Sequence, residues 1–66
     1  MKNSLKVERA ILNITQGELA AKINVSRQTI NSIEKNRYVP STVLALKLSK
    51  VFGKKIGDFF ELDEND

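Results

Sequence analysis

The chain has 66 residues, 41% of them apolar and 29% charged, which suits one soluble globular domain (residues 1–66) and leaves no room for a second. It contains neither Cys nor His, which excludes disulfides, argues against a structural zinc site, and removes a thiol nucleophile, an imidazole base and a Ser-His-Asp triad. The net charge of +3 is unevenly placed: residues 1–55 hold all 11 basic side chains against three acids (Glu8, Glu18, Glu34), or +8, while residues 56–66 hold five acids and no base.

A body with that excess of cations attracts polyanions, and its acidic end is expected to point away from phosphate. Charge alone leaves a plainer reading open, in which the lysines only solvate helix faces. A chain this short buries only about 60% of the surface its unfolded form exposes. A well-idealised helical core, a partner subunit, or both must make up the difference. No apolar run has the length of a signal peptide or a membrane span, so a cytoplasmic protein is expected.

In chain order, Ser4 (or Asn3) can cap an opening helix that starts at Leu5, and Asn13 follows it with tolerance for left-handed backbone. Thr15-Gln16-Gly17-Glu18 fits a capping box. Ser26 can cap the next helix, which Asn36 ends, and Ser41 after Pro40 can cap another, which Gly53 ends. Leu19, Ala20 and Ile23, then Ile30 and Ile33, are spaced for helical inner faces. Val43, Leu44, Leu46, Leu48, Val51 and Phe52 suggest one wide apolar face, interrupted by Lys47. A weak fifth helix is expected over about Ile56–Phe60, where Lys55 is a poor cap and Gly57 a poor helix former. Phe60-Glu61-Leu62-Asp63 alternates, so a short terminal strand is compatible with the pattern.

The informative stretch is Gln16 to Lys35: helix, a turn at Asn24-Val25-Ser26, then helix. Small Ala20 lets the two axes approach, Asn24 can adopt the left-handed conformation of the turn, and Val25 fills the space beneath it. With Arg9, Gln16, Glu34, Tyr38, Pro40 and Ser41 in their present spacing, the chain resembles the Cro/phage-repressor class of helix-turn-helix regulators, the Xre family, over Leu5 to Phe60. The resemblance is greatest to very small, single-domain bacterial and archaeal members. Asn24 stands where Gly is usual, and Lys54-Lys55 where a Val-Ser-type cap is common.

The resemblance implies an all-α, five-helix, lambda-repressor-like fold, with the motif at residues 16–35 and an acidic tail at 61–66. It implies a non-enzymatic transcriptional regulator, a repressor that binds double-stranded operator DNA as a homodimer. The recognition helix is then 26–35. Positions matching the family's base readers are Arg27, Gln28 and Ser32, joined by Thr29; Asn31 is more lateral. Phosphate contacts would come from Gln16, Ser26, Lys35, Asn36, Arg37 and Tyr38, and the family's Gln often buttresses the recognition helix as well. Arg9 and Glu34 match an internal ion pair. The dimer contact is expected at the apolar end, Phe59, Phe60 and Leu62.

Plainer roles stand beside these. Arg27 and Gln28 can be ordinary solvent-facing residues, Glu8 reads as a rim charge, and Tyr38 reads as packing. No metal, cofactor, small-molecule ligand or membrane partner is expected. A rival reading is an antitoxin or anti-regulator whose main partner is a protein met by the acidic tail.

Overall fold

Capping chemistry decides where the helices start. Thr15 Oγ1 accepts from the Glu18 N–H, and the Glu18 carboxylate accepts from the Thr15 N–H, both at 3.0 Å. This complete box holds the Glu18 carboxyl below its usual range, chiefly through the Thr15 N–H. Ser26 and Ser41 each accept through Oγ from the N–H three residues on. In the computed structural model, which describes residues 1–66, the elements are β1 (Lys2–Asn3), α1 (Leu5–Leu12), α2 (Gln16–Lys22), α3 (Arg27–Glu34), α4 (Thr42–Phe52), a 3-10 turn (Ile56–Asp58) and β2 (Phe60–Glu61). No helix is long and apolar enough to cross a membrane.

Three helices stop in the same way. Asn13, Asn24 and Asn36 have φ of 55°, 59° and 60°. Each asparagine N–H, and the N–H after it, turns back onto the last turn of its helix: Asn13 and Ile14 on Ala10 and Arg9, Asn24 and Val25 on Ala21 and Ala20, Asn36 and Arg37 on Ile33 and Ser32. This is the Schellman arrangement, which satisfies carbonyls that a helix end leaves free. Ile14 and Val25, the residues after two of these asparagines, pack against the core. At the third, the corresponding residue is Arg37, which is exposed. Gly53, with φ of 66°, ends α4.

The opening helix starts at Leu5 as expected, and of the two expected caps, Ser4 or Asn3, it is Asn3 that serves. Ser4 gives no side-chain cap. Asn3 Oδ1 instead accepts from the Leu5 N–H at 3.1 Å, and the Ser4 N–H is held by the Phe59 carbonyl at 3.0 Å. The N-terminal segment thus becomes a strand, with Lys2 opposite Glu61 and Asn3 opposite Phe60 in an antiparallel pair.

The fold has four α-helices, not five. Between Lys55 and Phe59 there is space only for a three-residue 3-10 turn, closed by a Phe59 N–H to Ile56 carbonyl bond. The Asp58 carboxylate accepts from the Lys55 N–H at 3.2 Å and supplies the cap that Lys55 lacks. The turn cannot lengthen into a helix, because Phe59 must enter the core and Phe60 must pair with Asn3.

Twelve side chains form the core, with Leu5, Leu19, Ile30 and Leu48 fully enclosed. Ala20, a small residue of α2, is buried in the core. Three corrections come from this packing. Phe59 and Phe60 are buried in the chain's own core, with Phe59 edge-on to Phe52 at 5.1 Å, so they cannot form an outer dimer surface; only Leu62 of that trio is exposed. The inner face of α4 is narrower than expected, made by Leu44, Ala45, Leu48 and Phe52 with Val51 beside it, and Val43 and Leu46 face outward. At 100° per residue, both lie off that stripe. Glu8 is not a rim charge: it is 6% exposed, three residues after buried Leu5, and meets Lys54 Nζ at 2.9 Å. Lys54, one of the two lysines where a Val-Ser-type cap is common, is therefore matched by an equally unusual buried acid on α1.

Candidate nucleic-acid interface

The α2–turn–α3 unit presents α3 with two unlike halves. At its N-terminal end, Ser26 Oγ accepts from the Thr29 N–H at 3.1 Å and lies 2.9 Å from Thr29 Oγ1. The two hydroxyls satisfy each other and the helix start. Arg27 and Gln28, between them, are exposed, and their side chains make no hydrogen bond or ion pair within the chain. Gln16, Arg27, Gln28 and Asn31 line one open concavity of about 440 Å³ that has no apolar residue in its wall. It offers a guanidinium fork and carboxamides, groups that pair bidentately with planar donor–acceptor edges. Ser32 is half-buried, one residue beyond Asn31.

The C-terminal half of α3 is tied down. Arg9 Nε donates to Glu34 Oε2 at 2.6 Å, and its Nη2 donates to Glu34 Oε1 at 3.1 Å. Its Nη1 donates to the Ile14 carbonyl at 3.1 Å, so one side chain joins α1, the α1–α2 turn and α3. Gln16 Nε2 donates to Glu34 Oε1 at 3.1 Å and to Asn31 Oδ1 at 3.3 Å. Burial alone would push the Glu34 carboxyl up, but the bonds from Arg9 and Gln16 and the charges of Arg9 and Lys6 hold it below its usual value. The same bond to Glu34 raises Arg9, against the opposing effect of burial. On the other side, Asn3 Nδ2 donates to the Ile33 carbonyl and to Asn36 Oδ1, both at 2.8 Å.

These bonds sort the expected site residues. Arg27 and Gln28 are together and free. The hydroxyls of Ser26 and Thr29 are engaged locally, with Ser26 exposed and Thr29 half-buried. Gln16 uses its amide nitrogen as a buttress, which leaves its Oε1 and its backbone N–H without a partner in the chain. A phosphate oxygen cannot bond to Oε1, so only the backbone N–H of Gln16 suits that role. Lys35, Asn36, Arg37 and Tyr38 are all exposed on the segment after α3, and Asn36 keeps its Nδ2 free while Oδ1 holds Asn3. Glu34 faces Arg9, so the exposed charges around α3 are Arg27, Lys35 and Arg37.

Two further residues belong to this geometry. Asn31 shares the polar concavity, and its position four residues after Arg27 and three after Gln28 is the spacing that would have found it. Asn3 anchors the end of α3 from 30 residues away, and no local pattern announces that contact.

The chain matches known proteins over its whole length. The helix-turn-helix family's profile fits residues 5–59. An uncharacterized HTH-type transcriptional regulator of Methanocaldococcus jannaschii is 53% identical over 66 residues, covering 100% of both chains. The regulator YgzD of Bacillus subtilis is 46% identical, again over 100% of both, and an Archaeoglobus fulgidus regulator is 46% identical over 100% of this chain and 93% of its own. With its α2–turn–α3 geometry and a profile match that spans most of its length, the chain belongs to the helix-turn-helix family.

Proposed function

We propose that this chain is a transcriptional regulator, a repressor that binds double-stranded operator DNA sequence-specifically, as a homodimer, through α3 in the major groove. The observation that carries this reading is the free pair Arg27 and Gln28 on a helix whose other half is clamped. Arg27 is suited to the O6 and N7 of a guanine and Gln28 to the N6 and N7 of an adenine. Asn31 and Ser32 lie next along the same face, and Thr29 offers a methyl to thymine. Lys35, Arg37, Asn36 and Tyr38 are suited to phosphates beyond the end of the helix, with the Ser26 hydroxyl at its start and the Gln16 backbone N–H at the start of α2. The relatives' name, transcriptional regulator, agrees with this role.

Dimensions support a dimer. One chain measures 31 × 22 × 21 Å and has one recognition helix, whereas successive major-groove faces are about 34–36 Å apart. Reading two half-sites therefore needs two copies, related by a two-fold axis. Such a regulator acts by binding alone and works where the chromosome is, in the cytoplasm.

The test is selection of sites from a random duplex pool at about 150 mM salt, where non-specific attraction is partly screened. The expected product is an inverted repeat with half-sites one helical turn apart. A folded protein that enriches no sequence overturns the reading.

A further inference from the structure

The outer side of α4 is a mosaic. Val43, Leu46, Lys47 and Lys50 recur at steps of three and four residues, so they form one stripe away from the core. Val43 is 63% exposed and Leu46 56%. The basic end of the stripe opens into a concavity of about 500 Å³ lined by Lys22, Ile23, Asn24, Lys47, Lys50 and Val51. None of these lysines is in an ion pair, and no residue proposed to face DNA lines the concavity.

The C-terminal segment carries the complementary mosaic. Leu62 is 78% exposed and stands among Glu61, Asp63 and Glu64, none of which is in an ion pair. Asp66 alone is neutralised, by the terminal ammonium of Met1 at 3.1 Å. Two surfaces of one chain thus each hold exposed apolar area beside unpaired charge, with opposite signs. A bare anion would use only the lysines and leave Val43 and Leu46 uncovered. A segment with an apolar side chain among acids uses both.

We propose that the exposed face of α4 is the docking site for residues 61–66 of a second copy, with Leu62 against the apolar end and Glu61, Asp63 and Glu64 facing Lys22, Lys47 and Lys50. The proposal deepens the homodimer reading and rests on it. Under two-fold symmetry the exchange is mutual, so each weak contact occurs twice. It also gives the acidic end a role away from DNA, where phosphate would repel it.

Sedimentation of the full chain across about 1–100 μM tests this, at about 50 and 500 mM salt. The expected result is a dimer that weakens as salt rises. K47E/K50E and D63K/E64K should each weaken it by about tenfold or more, and the four substitutions together should restore it to within roughly threefold, as a charge swap requires. Lys47, Lys50 and Glu64 are exposed, Asp63 is half-exposed, and none of these side chains bonds within the chain, so circular dichroism should report unchanged folding for every variant. A K47E/K50E chain that dimerises like the wild type overturns the proposal. So does loss on the lysine side without loss on the acid side, or failure of the combined variant to recover. A wild type that is monomeric throughout overturns both the docking and the dimer, whereas binding of that monomer to a single half-site duplex would still uphold DNA recognition.

Discussion

The two halves of α3 have the same backbone and opposite surroundings. The half that begins at Ser26 leaves Arg27 and Gln28 unbonded in a polar concavity. The half that ends at Glu34 is held from three directions, by Arg9, Gln16 and Asn3. Under the proposed function, the contrast separates reading from aiming. Long side chains that sample several conformations can adapt to bases, but only if the helix beneath them holds its angle to the body. The clamp fixes that angle with charge-assisted bonds, which are shorter and stronger than neutral ones.

Breaking the clamp should have the largest effect. Arg9→Ala leaves Glu34 with one donor side chain in a mostly enclosed position, and it should cost about 3–5 kcal/mol of unfolding free energy in urea titrations. Its effect on DNA should be even across sequences, because aim is lost and not one contact. A cost below about 0.5 kcal/mol would mean that the pair behaves like an ordinary surface ion pair.

Acid sharpens the same point. Glu34 is depressed in the folded chain, so its contribution is complete above the unfolded carboxylate value and is lost as pH falls through the lower folded value. Wild-type stability should therefore decline below about pH 4.3. In Arg9→Ala the balance shifts toward burial, which raises the carboxyl, so that decline should flatten. Parallel slopes in the two proteins would detach acid sensitivity from the clamp.

Asn3→Ala removes the bonds to the Ile33 carbonyl and Asn36 together with the cap on the Leu5 N–H, and should cost about 1–3 kcal/mol, as thermal unfolding can measure. The smallest effect belongs to the edge of the interface. Lys35→Ala should leave stability within about 0.5 kcal/mol and lower the salt slope of DNA binding by about 1, with no change in the preferred site.

Much of this arrangement was legible in the residues because its causes are local. A hydroxyl three residues before an N–H, or an asparagine at a helix end, acts over one turn, so Thr15, Ser26, Ser41, Asn13, Asn24 and Asn36 declared their roles. The parts that were not legible depend on partners far along the chain. β1 exists because residues 60–61 lie beside it, and two residues of Lys-Asn have no strand pattern of their own. Glu8 looks like a surface charge until Lys54 is brought 2.9 Å away. Phe59 and Phe60 look like an exposed apolar end until the 3-10 turn aims them inward. The base-reading candidates came from the family resemblance, with chemistry that suits them, and the resemblance also implied a buttressing Gln16, whose partners Asn31 and Glu34 are visible only with both helices in place.

The most direct measurement of the division within α3 is site selection on the wild type and Arg27→Ala in parallel, with affinities measured for every single base change in the selected site. The expected result is a loss of about 1–3 kcal/mol in the variant, confined to one base pair per half-site, with unfolding free energy unchanged. An even loss at every position, or no loss, would contradict the assignment of the free half of α3 to sequence reading.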